Sequence, residues 1–204
     1  MRIERFVVGP LETNCYFCID ENSKECVVID PGYDGEKLIR FIKSENLTVK
    51  YILNTHGHGD HIGANLKLKE FTHAPICIHN ADKDFLIDSN QNLSSQFGAS
   101  IISPKCDITL SESTELKFGN YKINVLETPG HTLGSVCFII DDIMFSGDTL
   151  FKESIGRTDL VHSSHHKMIS SLKKLLTLEI DYKIFPGHFE STTLEHERSN
   201  NSFL

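Results

Sequence analysis

Three histidines and an aspartate fall within six consecutive positions of the stretch NTHGHGDHIGAN: His56, His58, Asp60 and His61. Two glycines, Gly57 and Gly59, separate them, and the apolar run YIL stands directly before. Polar side chains crowded this closely are costly to bury without partners. Any fold of this chain must therefore bring partners to the segment, and an H-x-H-x-D-H pattern has metal-ligand spacing.

Three further residues repeat the setting. INVLETPG precedes His131, IMFSG precedes Asp148 and YKIFPG precedes His188. Each is an apolar strand, then a glycine turn, then one metal-ligating side chain, and strand ends are where a rigid scaffold presents functional loops. If these ends share one edge, seven donors converge, more than one tetrahedral ion uses. Mixed imidazole and carboxylate donors suit zinc, manganese or iron. Two ions sharing a carboxylate is the economical reading, with His56 and His58 aimed at one ion and Asp60 and His61 at another. Gly57 and Gly59 are expected to supply backbone angles and clearance. His73, His79, His162, His165, His166 and His196 lack this setting and are assigned to the surface.

The 204 residues are read as one domain spanning 1–204. A net charge of −8 disfavours nucleic acid as a partner. No run approaches the about 20 apolar residues of a membrane span, and the N-terminus lacks a signal-peptide core. A cytoplasmic location follows as an expectation, with the six cysteines reduced. Cys15 and Cys18 form a C-x-x-C, but on a strand positions three apart face opposite ways, so both are read as buried hydrophobes.

Strands are expected at RIERFVV, NCYFCI, ECVVID, VKYILNT, APICIH, YKINVLE, SVCFII, IMFS and YKIFP, with a hairpin at Asp141-Asp142. Asp34 is placed to cap a helix whose Leu38, Ile39 and Ile42 share a face. Further helices are expected over IGANLKLKEFT, HHKMISSLKKLLTL and TTLEHERSN, while Asp82 to Lys105 reads as helical and loop-rich. Strands preceding helices in both halves suggest sheets with helices outside.

These motifs, with GPLETNCY, VIDPG, TPGHTLGS, SGDTLF, GRTDL, PGH and the tail HERSNNSFL, resemble the metallo-β-lactamase superfamily, and within it the short glyoxalase II-like hydrolases. The likeness covers nearly the whole chain. It implies an α/β fold, a four-layer αββα sandwich with the site at one edge. It also implies a first metal held by His56, His58 and His131, a second by Asp60, His61 and His188, and Asp148 bridging. Phe189 and Glu190 stand where short members often carry Gly-Pro, and Ser202 where Pro is usual. Only 16 residues follow His188, too few for the glutathione-holding helical domain of full glyoxalase II enzymes.

The implied activity is hydrolysis of a small-molecule thioester, hydroxyacylglutathione hydrolase-like. Two divalent ions, zinc first with iron or manganese as alternatives, bring bridging water to hydroxide near neutral pH, and Asp60 orients it as the catalytic residue. A thiolate, with a reference pKa of about 8.5, leaves without a positioned acid. Arg157 is a candidate substrate contact or lid pin, against the plainer reading of an ion pair with Asp159. Phe151 and Phe189 are expected at the mouth. The rival readings are a mononuclear-iron persulfide dioxygenase using His56, His131 and Asp148, a lactonase, and a non-enzymatic metal-stabilised binding module.

Overall fold

The computed structural model describes residues 1–204. Its first sheet follows chain order: β1 (Arg2–Val8), β2 (Thr13–Ile19), β3 (Glu25–Ile29), β4 (Thr48–Leu53), β5 (Ile76–His79) and β6 (Ile108–Leu110). β1 to β3 are antiparallel, whereas β3 to β6 run parallel. Parallel neighbours need crossovers. Helix α1 (Gly35–Glu45) makes the first, and α2 (Gly59–Ile62) with α3 (Asn65–Thr72) the second.

The second half builds β7 (Leu116–Phe118), β8 (Tyr121–Glu127), β9 (Val136–Ile140) and β10 (Ile143–Gly147), then a small hairpin of β11 (Leu150–Phe151) and β12 (Ser154–Ile155). Helix α4 (His165–Leu176) carries the chain to β13 (Lys183–Pro186), followed by β14 (Thr192–Thr193) and α5 (Leu194–Asn200). The sheet order is β14-β13-β10-β9-β8-β7, with β13 parallel to β10.

Strand alternation sorts the apolar residues into three cores, as four stacked layers require. Cys15, Phe17, Cys26 and Val28 pack with Leu38, Ile42 and Leu68 of the first helical layer. Their chain neighbours Tyr16, Cys18, Val27 and Ile29 point the other way, against Ile123, Val125, Phe138 and Phe145 of the second sheet. Cys137 and Met144 turn outward to meet Met168, Leu172, Leu175 and Leu194 of α4 and α5. The αββα sandwich expected from the sequence is the observed fold. Cys15 and Cys18 lie on opposite faces, and burial pushes both thiols well up.

Some local expectations fail for physical reasons. Asp34 stands at the N-cap position but in a left-handed conformation, and its carboxylate accepts from the Gly9 N–H instead of capping α1. IGANLKLKEFT is not one helix, because α2 stops at Ile62 and α3 restarts at Asn65. The stretch from Asp82 to Lys105 is helical and loop-rich as expected, its helices being 3-10 turns at Asn80–Ile87 and Ser94–Phe97. The short strands β6, β7, β11, β12 and β14 carry too few residues to show a period. No helix is long and apolar enough to cross a membrane.

Phe17, fully buried, packs edge-on against Phe6 and Phe41 at centroid distances of 5.6 and 5.1 Å. Phe17→Ala removes the hub of that cluster and leaves a cavity. The expected loss is about 3–5 kcal/mol in denaturant unfolding; a loss under about 1 kcal/mol would contradict the packing described.

Candidate metal centre

The strands decide where the donors go. β4, β8, β10 and β13 all end at one edge of the sandwich, and the residues just past their ends meet there. His56 and His58 lie between β4 and α2, Asp60 and His61 sit in α2, and His131, Asp148 and His188 follow β8, β10 and β13. All seven donors singled out in the sequence come together.

They fall into two joined groups. His58 Nδ1 is 3.1 Å from His56 Nε2 and 2.9 Å from His131 Nε2. His188 Nε2 is 3.3 Å from Asp60 Oδ2, and His61 Nε2 is 3.5 Å from the same oxygen. Asp148 spans both groups, with Oδ2 at 3.5 Å from His131 Nε2 and 3.6 Å from His188 Nε2, and Oδ1 at 3.5 Å from His61 Nε2. Within each of three overlapping triads, the donor atoms lie within 4.8 Å of one another. His61 Nε2 and Asp148 Oδ1 are buried without a hydrogen-bond partner. Orphaned buried donors aimed at one another are the signature of a cation site, and the imidazole–carboxylate set fits divalent ions.

The rings are held from behind, as metal-ligating histidines usually are. His56 Nδ1 lies 3.1 Å from Thr55 Oγ1, His131 Nδ1 is 3.0 Å from the Arg157 carbonyl and His188 Nδ1 is 3.1 Å from the Leu11 carbonyl. His61 Nδ1 pairs with Asp30 Oδ2 at 3.0 Å, an ionic contact without hydrogen-bond alignment. His58 has no such partner, and its ring stacks on Phe85. Thr13 Oγ1 donates to Asp60 Oδ2 at 2.9 Å.

Two carboxylates that the sequence reading passed over organise the loops. Asp30 accepts from Thr55 N–H at 2.8 Å and Thr55 Oγ1 at 2.6 Å besides meeting His61. Its place in VIDPG, at a strand end but before the Pro-Gly turn rather than after it, falls outside the pattern that exposed the other donors. Asp82, fully buried, accepts from Gly57 N–H at 3.0 Å, Thr132 Oγ1 at 2.6 Å and Gly134 N–H at 2.8 Å, so one side chain ties the His56–His58 loop to the His131 loop. Nothing periodic around Asp82 signals that. Gly57 and Gly59 supply clearance rather than unusual backbone angles: a Cβ on Gly57 would lie 2.5 Å from Phe85 Cβ.

A cavity of about 560 Å³ opens over the donors, with His58, Asp60, His131, Asp148 and His188 on its floor. Arg157 lines it, but its guanidinium is engaged by both oxygens of Asp159 at 2.9 Å. The expectation for the two phenylalanines needs correction. Phe151 is buried against His188 and Phe189, outside the cavity, and Phe189 lines a separate hollow on the far side of His188. Phe189 also holds φ +66, in the left-handed region that glycine enters freely and other residues rarely adopt. The six other histidines stay outside the cluster.

Burial pushes His56 and His58 well below the usual histidine range, and the adjacent imidazoles add to it, leaving both neutral and ready to ligate. For His61 burial opposes the charged form, but Asp60, Asp148 and Asp30 outweigh it and raise the group to about 10. The metal-free second triad therefore carries a proton that a cation must displace. Zinc uptake at neutral pH is expected to release protons, and affinity to fall as pH is lowered, in calorimetry across buffers of different ionisation enthalpy; uptake indifferent to pH would contradict this. Asp82→Ala strips the acceptor from three donors and is expected to weaken metal affinity about 10–100-fold by chelator competition, whereas unchanged affinity would remove Asp82 from the account.

The comparisons agree with this geometry. Residues 8–188 match the family model described as metallo-beta-lactamase superfamily. A probable metallo-hydrolase, YqgX of Bacillus subtilis, is 36% identical, covering 100% of this chain and 98% of the relative. Hydroxyacylglutathione hydrolase GloC of Haemophilus influenzae is also 36% identical, with coverage of 100% and 98%. Among solved structures, the BLEG-1 B3 metallo-beta-lactamase superposes with a TM-score of 0.94 at 37% identity, covering 100% of this chain and 99% of that one. TTHA1623 in a di-iron-bound form gives 0.87 at 35%, with coverage of 98% and 100%. ETHE1 from Myxococcus xanthus gives 0.80 at 26%, covering 99% and 84%. With its donors at one edge of an αββα sandwich and its sequence matched almost end to end, the chain belongs to the metallo-beta-lactamase superfamily.

Proposed function

We propose that this metal-dependent hydrolase cleaves thioesters, with His56, His58 and His131 holding one divalent ion, Asp60, His61 and His188 a second, and Asp148 both. The observation that carries the reading is the cavity lining. Outside the donor set its titratable residues are Tyr33 and Arg157. Burial raises the Tyr33 phenol further, with help from Asp60, and Arg157 is held by Asp159. Neither is a ready acid for a departing amine or alkoxide, whereas a thiolate leaves unaided.

When bound, two divalent ions supply Lewis acidity and a lowered water pKa. The chain's own side chains do the rest. Asp60, pinned by Thr13, orients water toward the acyl carbon, and the carboxylate stays ionised because His61 and His188 outweigh the burial that opposes its charge. The Leu11 and Arg157 carbonyls fix the His188 and His131 rings so that Nε2 of each faces the centre. Zinc is the metal proposed, and the di-iron neighbour makes iron the first alternative.

A second reading, an iron-dependent persulfide dioxygenase, would use His56, His131 and Asp148, of which His56 and His131 share one triad while Asp148 lies 3.5 Å from His131 Nε2. The match to hydrolases along the whole chain favours hydrolysis, whereas the second triad, which such dioxygenases can retain, does not decide between the two. A cavity open above the donors argues against a purely structural metal site, which is normally closed.

Protein purified without added metal should be assayed for metal per chain, for turnover of a panel of S-lactoylglutathione and simpler thioesters, and for oxygen uptake with glutathione persulfide. Two metals with thioester hydrolysis are expected, and one iron with rapid oxygen uptake would overturn the proposal. Asp148→Asn is expected to lower metal occupancy and turnover at least about 100-fold, in line with losing a shared ligand; unchanged activity would count against the shared carboxylate.

A further inference from the structure

The cavity above the donors has an apolar wall that the chemistry at its floor does not use. Pro10, Leu11, Leu93, Phe97, Ile101 and Leu160 form it. Leu11 is 44% exposed and Phe97 69% exposed, so the largest apolar side chain of the lining stands in water at the rim. That ring contributes little to the fold as it stands. It gains only when an apolar group covers it.

The loop presenting Phe97 is fastened from within. Asn92 Nδ2 donates to the Phe85 and Ile101 carbonyls at 3.0 and 2.9 Å, its Oδ1 accepts from Ser94 N–H at 3.0 Å, and Ser94 Oγ accepts from Ile101 N–H at 3.0 Å. These polar groups are spent on the loop, which holds the apolar wall in place rather than offering hydrogen bonds to a ligand.

Charge points the same way. Arg157 is the one lysine or arginine in the lining, and Asp159 already occupies the Nε–Nη2 edge of its guanidinium. A tripeptide thiol such as glutathione brings two carboxylates, whose recognition calls for committed cations.

Resting on the thioester-hydrolase reading, we propose that this site selects uncharged thioesters bearing an extended apolar arm, that the arm lies along the Leu93–Ile101 wall and covers Phe97, and that glutathione thioesters, with two carboxylates to place, are poor substrates. The arm belongs to either the acyl or the thiol side, because both leave the reacting carbon over the donors.

A two-armed panel on the metal-quantified protein separates these sources. One arm lengthens the acyl group of N-acetylcysteamine thioesters from butanoyl to octanoyl, a range over which carbonyl reactivity is constant. The other lengthens the alkyl thiol of thioacetates. A rise of at least tenfold in kcat/KM along one arm is expected, together with at least tenfold preference for the N-acetylcysteamine thioester over the glutathione thioester of the same acyl group. Phe97→Ala should flatten the length dependence of the responding arm. Turnover that is flat along both arms, or a glutathione thioester cleaved as well as its uncharged counterpart, overturns the proposal while leaving the hydrolase reading intact. Absence of turnover throughout the panel overturns both.

Discussion

Five imidazoles and two carboxylates share one buried space at the edge of this sandwich, and without cations that arrangement opposes folding. The His61 and Asp148 atoms facing the centre have no protein partner. His56 and His58 are pushed toward neutrality, while His61 is driven to stay charged among three carboxylates. Buried groups of this kind persist where the surrounding structure over-determines them. The two metal ions proposed for this site would resolve the conflict by giving each donor atom a partner at once.

The scaffold around the cluster is organised to hold it. Asn14 N–H donates to the Gly187 carbonyl at 2.7 Å and Val136 N–H to the Thr55 carbonyl at 2.9 Å, joining the two sheets where the donors emerge. Asn54 Nδ2 donates to the His61 carbonyl at 3.1 Å, and Asn65 Nδ2 reaches Asn54 Oδ1 at 2.9 Å, which fastens α2 to the end of β4. Gly187 is needed for close approach, since a Cβ there would lie 2.3 Å from Asp148 Oδ1. Donors far apart in the chain thus reach one centre through backbone contacts that leave little freedom. Such rigidity suits a site whose chemistry depends on a fixed geometry.

Much of this was readable in the residues because the donors follow one rule, an apolar strand ending in a glycine turn. His131, Asp148 and His188 obey it, and the ligand spacing of His56 to His61 anchors it. The strands β2, β3 and β9 showed as continuous apolar runs and β8 as an alternating one, and the structure divides the residues of those runs among the three cores. Asp82 was not readable, since its role is to accept from two distant backbone N–H groups and a threonine, which leaves no local period. The Ser94–Phe97 turn was equally hidden, although it builds the cavity wall, because side-chain bonds from Asn92 and Ser94 shape it rather than hydrophobic repeat. Phe151 and Phe189 misled because strand-end position alone does not say which side of His188 a ring takes.

Anomalous X-ray scattering from crystals of the zinc-loaded protein tests the central claim most directly. The account predicts two peaks, one enclosed by His56, His58 and His131 and the other by Asp60, His61 and His188, with Asp148 reaching both. A single peak, or zinc bound away from these side chains, would contradict it.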